Sequence, residues 1–452
     1  METNRKLLRP RKAYELVEPS EPNMMRDQFP YTEPPKILFD GTEVLQDPAD
    51  EFIITDTTFR DGQQARPPYT VQQIVDLYDF MHRLGGPSGV IRQSEFFLYS
   101  AKDREAVDRC LEKGYRYPEV TGWIRAVKKD FQLVKEMGLK ETGILTSASD
   151  YHIFDKLNWN RESALKNYVE IAAAAIEAGV LPRCHFEDVT RADIYGFVVP
   201  FAQALMNLAE ESKVPIKIRL CDTMGYGVTY PGAALPRSVS KLVHTMVHDA
   251  GVPKAQIEWH GHNDFHKVLA NASTVWLYGC QAANGTLLGF GERTGNPPIE
   301  GLIFEHIGLM GHMNGIDTTV ITEIADYFRN EIGVVIPPNY PFVGSEFNVT
   351  RAGIHADGVI KNEEMYNIFD TDRLLHRPLS VNVTDKSGLA GVAFWLNGYL
   401  GLHGDARLDK NHEVVRSIAK WVEEQYKDGR TTAISNEEMV AISREYLPHM
   451  VR

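Results

Sequence analysis

From residue 51 to residue 289 the chain repeats one pattern, a short apolar run that ends in polar residues and is usually followed by a longer amphipathic stretch. The apolar runs predict eight β-strands, at 51–56, 89–97, 119–124, 142–147, 183–188, 216–222, 256–262 and 281–289. Apolar residues at spacings of three and four predict helices at 71–84, 126–137, 161–178, 194–212, 235–250 and 265–278. Eight strands in roughly 240 residues predict an α/β fold, the (β/α)8 TIM barrel.

An open, doubly wound sheet would show a similar alternation of strands and helices. Its dinucleotide-binding members carry a glycine-rich fingerprint after the first strand, and no such fingerprint follows residues 51–56. The barrel is therefore the favoured architecture, with the open sheet as its alternative.

The pattern changes at both ends of the predicted barrel. Residues 1–50 are rich in proline and predict an extended N-terminal arm. The barrel domain is predicted over 51–310, and the segment PPNYPF after it is typical of a linker. We therefore predict a linker and subdomain over 311–370 and a smaller, mainly helical C-terminal subdomain over 371–452.

The composition narrows the class of protein. A net charge of −13 argues against nucleic acid or a membrane surface as partner, because both normally require a basic field. The four cysteines are widely spaced and form no C-x-x-C pair, which fits a reducing compartment. The chain shows neither a signal-peptide core nor a membrane-length apolar run. These features predict a soluble, cytoplasmic protein.

The segment IEWHGHNDFH ends the seventh predicted strand and places His260 and His262 two residues apart. Side chains alternate between the two faces of a strand, so both imidazoles would point to the barrel mouth and could bind one metal ion. The segment ITDTTFRDGQQ adds Arg60 and Asp61 at the end of the first strand. A carboxylate there would complete a His2Asp set with positions left open for substrate oxygens. Considered alone, hydrogen-bonded histidines and a solvated turn remain the alternatives.

Polar clusters also end the fifth, sixth and eighth predicted strands, in RCHFEDVTR, CDTMG and GFGERTGNPPIE. Their candidate functional residues are Arg183, His185, Glu187, Asp188, Thr223, Glu292, Arg293 and Asn296. Active sites of TIM barrels lie at the carboxyl ends of the strands. Dense polar groups at five of eight strand ends therefore indicate an active site there.

Taken together, DTTFRDGQQ, FEDVTR, DTMG, HGHND and GFGERTGN resemble the DRE-TIM metallolyase superfamily over residues 51–310. The resemblance implies that Asp61, His260 and His262 bind a divalent metal, with Asn296 at or near the same shell. The loop GERTGN resembles the condensing branch, which includes isopropylmalate, homocitrate and citramalate synthases. The lyase branch typically has a cysteine in this loop, which is absent here, so a lyase of the HMG-CoA type is the runner-up.

The segment FNVTRAGIHADGVIKNEEMY, residues 347–366, resembles a subdomain that supplies a histidine and a tyrosine to the neighbouring subunit's active site in the condensing branch. The matching residues are His355 and Tyr366, and the resemblance implies a homodimer. Without it, a capping histidine and a packed tyrosine would be the simplest interpretation. The later segment DKSGLAGV departs from the family's H-S-G-R at Lys386 and Leu389, so no role is carried beyond residue 370.

The implied reaction is a metal-dependent Claisen condensation of acetyl-CoA, as cosubstrate, with a 2-oxo acid, followed by thioester hydrolysis. QSEFFLYS, HFEDVTR and the N-terminal arm are most similar to the citrate-forming members, which implies oxaloacetate as the substrate. The implied catalytic residues are Arg60, Glu187, His355 and Tyr366. The implied substrate-binding residues are Arg60, Arg183, Thr223 and Asn296. Manganese is the favoured metal, with magnesium, cobalt or zinc as alternatives, and a non-catalytic scaffold is the competing class.

Overall fold

The computed structural model describes residues 12–427 and 429–450. The first eleven residues of the predicted arm lie outside the described residues. The chain forms two compact units, Met1–Asp317 and Thr318–Arg452. No helix among the described residues is long and apolar enough to cross a lipid bilayer.

The first unit contains a closed barrel of eight parallel strands in sequence order, with the first strand paired to the eighth. The strands are β1 Ile53–Asp56, β2 Ile91–Phe97, β3 Glu119–Ile124, β4 Glu141–Ser147, β5 Leu181–Glu187, β6 Lys217–Asp222, β7 Ile257–Gly261 and β8 Ala282–Gly285. The helices are α1 Val71–Gly85, α2 Ala101–Glu112, α3 Phe131–Glu136, α4 Arg161–Glu177, α5 Val199–Ser212, α6 Val239–His248, α7 Val268–Thr274 and α8 Ile299–Met310. The prediction of a (β/α)8 barrel is confirmed.

Alternation along the strands separates an apolar outer face from a polar inner face. On the outer face, Phe96 of β2 lies against Tyr78 of α1, and Phe186 of β5 stacks on Phe201 of α5 with ring centroids 4.6 Å apart. All four rings are buried. The main apolar core of the barrel thus lies between its strands and its helices.

Some predicted elements differ from the observed ones. The predicted helix 126–137 is a 3-10 turn followed by α3, and the predicted helix 194–212 begins with a π-helical turn before α5. The predicted strand 281–289 ends at Gly285, because Leu288 has a left-handed φ of 55° and its amide donates to the Glu300 carboxylate. That turn carries the following loop across the barrel mouth.

The barrel interior contains a network of buried charges. Glu95 of β2 accepts hydrogen bonds from Arg60 (3.0 Å), Arg183 (2.8 Å) and Arg219 (2.9 Å). Arg219 of β6 also pairs with Glu258 of β7, at 2.9 and 3.0 Å. Burial alone would raise the pKa of Glu95, but these guanidinium groups hold it well below its ordinary value. The carboxylate is therefore ionised inside the barrel.

The second unit is mainly helical, as predicted. Its helices are α9 Val320–Asn330, α10 Gly353–Lys361, α11 Thr371–Leu375, α12 Gly388–Leu400, α13 Glu413–Lys427 and α14 Asn436–Tyr446. Two short parallel strands, β9 Val349–Thr350 and β10 Ser380–Val381, pair with each other. Leu396, Ile418 and Met439 belong to the buried core between α12, α13 and α14.

The buried network makes a prediction about stability. We expect Glu258→Gln to lower the free energy of unfolding by about 3–5 kcal/mol, because it leaves Arg219 buried with less opposing charge. Chemical denaturation followed by circular dichroism would measure this loss. Glu170→Gln is the matched control, since Glu170 is half-exposed in a loose 3.7 Å pair with Lys128 and should change stability by less than about 1 kcal/mol. Equal effects of the two substitutions would contradict the prediction.

Candidate metal centre

Asp61, His260 and His262 come together at the barrel mouth, as predicted. The Oδ2 atom of Asp61 lies 3.8 Å from Nε2 of His260 and 3.7 Å from Nε2 of His262, and the two Nε2 atoms are 3.3 Å apart. All three side chains are buried. The trio thus offers two imidazole nitrogens and one carboxylate oxygen to a single small volume, a donor set typical of divalent transition metals.

Local backbone geometry explains how the trio converges. His260 lies in β7 and His262 just beyond it, so a two-residue spacing turns both imidazoles inward. Asp61 follows β1 in a tight turn, in which the amide of Gly62 donates to the carbonyl of Thr57 at 3.1 Å. A Cβ on Gly62 would lie 2.5 Å from the carbonyl oxygen of Thr58. Glycine is therefore required next to Asp61.

Hydrogen bonds orient both imidazoles. Nδ1 of His260 lies 2.8 Å from Oδ1 of Asn284, whose amide nitrogen donates to Thr55 at 2.9 Å. This bond to Thr55 assigns the Asn284 oxygen as the acceptor for His260. Nδ1 of His262 lies 3.4 Å from the carbonyl oxygen of Glu292. Both Nδ1 atoms therefore carry the proton, and both Nε2 lone pairs face Asp61, as metal-binding histidines require.

The electrostatics favour the protonation states that bind a metal. Burial lowers the pKa of His260 to about 3 and also lowers the pKa of His262, because the imidazolium form loses its hydration. Burial alone would raise the pKa of Asp61, but the nearby Arg60 guanidinium holds it below its ordinary value. At neutral pH the site therefore contains two neutral imidazoles and one carboxylate.

Two buried oxygens support a cation at this position. Oδ2 of Asp61 and Oδ1 of Asn296 make no hydrogen bond within the described part of the chain. The amide nitrogen of Asn296 donates to the carbonyl of Gly261 at 3.0 Å. A Cβ on Gly291 would lie 2.0 Å from Oδ1 of Asn296, so that glycine leaves room for the amide. Buried polar atoms without partners are costly, and a bound cation would satisfy them. The residues present therefore fit a divalent ion.

Arg60 connects this cluster to the barrel interior. Its Nη1 atom lies 3.2 Å from Oδ1 of Asp61, its Nε atom lies 3.0 Å from Glu95, and its guanidinium carbon lies 5.6 Å from the ring centroid of Trp123. The side chain is only 11% exposed. Three sets of contacts therefore fix a permanent positive charge beside the acidic ligand.

Glu187 and Thr223 lie at the same end of the barrel, since Glu187 is the last residue of β5 and Thr223 directly follows β6. Glu187 lies 3.1 Å from Nδ1 of His152 and 3.2 Å from Nζ of Lys156. Burial alone would raise its pKa, but His152, Lys156 and a serine hydroxyl lower it to about 2. The Thr223 hydroxyl accepts a hydrogen bond from the amide of Asp188 at 2.8 Å. Both residues thus line the mouth, as the sequence predicts.

Arg183 is not brought to the metal cluster. It lies in the barrel interior, where its guanidinium is 2.8 Å from both Glu95 and Glu141 and its side chain is 1% exposed. The predicted contact between Arg183 and a substrate carboxylate therefore has to compete with two buried carboxylates. Arg183 belongs, in this structure, to the interior network.

His355 and Tyr366 belong to the second unit, where they contact each other. Their ring centroids lie 4.3 Å apart, and both side chains are exposed. A Cβ on Gly358 would lie 2.6 Å from the Tyr366 ring, so this glycine allows the ring to lie on α10. The pair thus presents an imidazole and a phenol together at the surface of its unit.

Asn284 and Glu95 are site residues that motif reasoning missed. Both are buried polar residues on strands, where Glu95 is followed by the apolar Phe96 and Asn284 is preceded by Ala283. A polar residue next to an apolar one on a predicted strand is the signal that the sequence offers. For Asn284 the predicted strand 281–289 extends past the observed end of β8 at Gly285, so the sequence does not place this residue near the strand's carboxyl end.

A parallel (β/α)8 barrel with a buried His2Asp cluster at its mouth defines a class of metal-dependent barrel enzymes. The chain belongs to the HMGL-like family, whose model matches residues 51–327. This match confirms the resemblance found in the sequence motifs.

Two relatives are similar over nearly the whole chain. The Citrate (Re)-synthase of Syntrophus aciditrophicus is 64% identical, covering 97% of this chain and 70% of that protein. The Citrate (Re)-synthase of Clostridium kluyveri is 51% identical, covering 97% of both chains. Among solved structures, the HMG-CoA lyase of Bacillus subtilis superposes with a TM-score of 0.51 at 20% identity, covering 64% of this chain and 96% of that one. This last similarity shows the shared fold alone.

The cluster of Asp61, His260 and His262 predicts that the protein binds a divalent metal ion with measurable affinity. We expect His260→Ala to weaken Mn²⁺ binding by at least about 100-fold, since losing even an outer partner of a ligand commonly costs about 10–100-fold. Equilibrium dialysis with metal analysis by mass spectrometry would measure this. His248→Ala is the control, because His248 is 45% exposed and pairs with Asp47. Retention of Mn²⁺ by His260→Ala at the control's level would refute the ligand assignment.

Proposed function

We propose that this chain condenses acetyl-CoA with oxaloacetate and hydrolyses the resulting thioester to citrate, the reaction for which the two similar relatives are named. The structural observation that carries the proposal is the buried Asp61, His260 and His262 cluster with Arg60 beside it. The extent of similarity supports the choice of substrate, because 97% of this chain aligns with each relative.

Asp61, His260 and His262 would hold a divalent ion, for which manganese is favoured, and Oδ1 of Asn296 is oriented to join them or to contact the substrate. Such an ion would act as a Lewis acid toward the keto group. The substrate would then lie beside Arg60 at the carboxyl ends of the strands.

Arg60 is proposed to stabilise the negative charge that develops on the keto oxygen during attack. A fixed guanidinium needs no reorganisation as the charge appears, which is the basis of electrostatic catalysis. Glu95 holds its Nε atom, and its Nη1 atom donates to Asp61 at the mouth. Thr223, half-buried at the same end, is proposed to bind a substrate carboxylate. We propose that Arg183 supports the buried charge network around Glu95 and does not bind the substrate directly.

A base must remove a proton from the acetyl methyl group, and we propose His355, assisted by Tyr366, for this step. The two rings contact each other and are exposed, so they are available to a second chain. Glu187 contributes a carboxylate that stays ionised, because its pKa is lowered to about 2. The proposal therefore includes a homodimer in which each second unit serves the neighbouring barrel.

We also propose the cytoplasm as the compartment. The four cysteines are buried free thiols, and none is placed in a disulfide. A reducing environment suits such a chain.

The reaction is tested by release of free CoA thiol. We expect release from acetyl-CoA with oxaloacetate and much less with 2-oxoglutarate, 2-oxoisovalerate or pyruvate, since the mouth must match one substrate's carboxylates. A thiol-reactive dye measures the rate. Faster release with another 2-oxo acid would replace the substrate, and no release with any of the four would refute the synthase. Cleavage of HMG-CoA instead would establish the lyase alternative.

The shared active site is tested by mixing two inactive variants. His355→Ala and Asp61→Ala chains, unfolded together and refolded, should recover about a quarter of wild-type activity, because half of the dimers would be mixed and each would have one intact site. Each variant refolded alone is the control. Absence of recovery, with mixed dimers present by native mass spectrometry, would place His355 in its own chain's site or outside any site.

A further inference from the structure

The Glu187 carboxylate is held by a turn that the motifs did not single out. A single π-helical turn, Tyr151–Lys156, follows β4 and places His152 and Lys156 on the same carboxylate. Nδ1 of His152 lies 3.1 Å from one oxygen, and Nζ of Lys156 lies 3.2 Å from both. The Ser147 hydroxyl donates to the first oxygen as well. Isolated π-helical turns occur frequently at functional sites.

Of the two residues of the turn that contact Glu187, His152 is held more firmly than Lys156. Its ring is 17% exposed, and Nε2 lies 3.7 Å from Oδ2 of Asp188 while Nδ1 faces Glu187. Asp188 is itself fixed by hydrogen bonds from Ser149 at 2.6 Å and from Arg191 at 3.0 Å. Lys156 is 48% exposed, and an ion pair with that exposure adds little. The orientation of Glu187 therefore depends mainly on His152.

The N-terminal arm braces this turn. The Tyr151 hydroxyl donates to the carbonyl of Met24 at 2.7 Å, and the amide of Asn23 donates to Asp150, which immediately precedes the turn, at 2.7 Å. Arg161, 1% exposed, holds Asp150 at 2.8 and 2.9 Å and also donates to a carbonyl of the arm. The arm is thus attached to the start of the turn that carries His152.

We propose that His152 is a positioning residue for the reaction, orienting the Glu187 carboxylate at the barrel mouth from a turn that the N-terminal arm holds in place. The inference rests on the proposed function, and it assigns a role to a segment that precedes the barrel. His152 acts through Glu187 and has no contact with the Asp61, His260 and His262 cluster among the contacts described.

The charge around Glu187 gives the inference a pH signature. Burial would raise the pKa of Glu187, and His152, Lys156 and Ser147 lower it to about 2. Within the described part of the chain, the further titratable groups that face the carboxylate or its imidazole partner are Tyr168 of α4, Cys221 of β6 and Asp188. None of these three is a cation. Removal of the imidazole should therefore raise the pKa of Glu187, so that it takes up a proton at a higher pH than in the wild type.

The test compares His152→Ala with His152→Asn, whose amide nitrogen can replace Nδ1 as a donor. We expect kcat of His152→Ala to fall on the order of 10²-fold, as for a misplaced catalytic group, with little change in KM for acetyl-CoA. As the pH is lowered, the activity of His152→Ala should also be lost at a higher pH than the activity of the wild type. His152→Asn should recover most of kcat, Tyr151→Phe should show a smaller loss than His152→Ala, and Mn²⁺ content should stay at the wild-type level.

A second measurement, thermal unfolding as a function of pH, does not require enzymatic activity. It therefore separates the role of His152 from the proposed function. The loss of melting temperature in His152→Ala should be largest at neutral pH and should shrink as the pH falls below about 4.5, where Glu187 is protonated in the unfolded chain. His449→Ala, which changes an exposed histidine, should show no such dependence. A wild-type chain without activity would refute the proposed function alone. Wild-type kcat and an unchanged pH profile in His152→Ala, or equal losses in His152→Ala and His152→Asn, would overturn the role of His152.

Discussion

Three guanidinium groups converge on one buried carboxylate, and the rest of the barrel depends on this arrangement. Glu95 pairs with Arg60, Arg183 and Arg219, and Glu258 supplies further negative charge to Arg219. None of these groups could be buried alone, because removing one charge from water costs several kcal/mol unless its partners are present. The strands are thus joined through their interior by charge, while apolar packing joins them to the surrounding helices.

The same network determines the properties of the mouth. Arg60 donates to Glu95 on one side and to Asp61 on the other, so the interior charge fixes the guanidinium that lowers the pKa of the acidic ligand. Neutral groups orient the histidine side of the cluster, since a single hydrogen bond from His260 to Asn284 fixes that imidazole. Charge and hydrogen bonding therefore act together to present three donor atoms in one place.

The N-terminal arm precedes the barrel in the sequence and contacts a turn at the barrel mouth. The N-terminal arm contacts the turn after β4, although more than a hundred residues separate Met24 from Tyr151. The second unit carries the exposed His355 and Tyr366 pair that the proposed function requires. The arm thus supports a turn of the barrel, whereas the pair in the second unit enters only through the proposed function.

Features that follow from local geometry could be predicted from the amino-acid sequence. Alternating runs specified eight strands, and the two-residue spacing of His260 and His262 specified a shared face, because side-chain direction on a strand repeats every two residues. Asp61 could be added to this histidine pair, because the carboxyl ends of parallel strands lie at the same end of a barrel. The central position of Glu95 and the contact between His152 and Glu187 become apparent in the folded chain. The fold also pairs Arg183 with Glu95 and Glu141, which come from two other strands, and so places its guanidinium in the interior network. These outcomes depend on contacts between distant segments and on depth in the barrel, for which no local pattern exists.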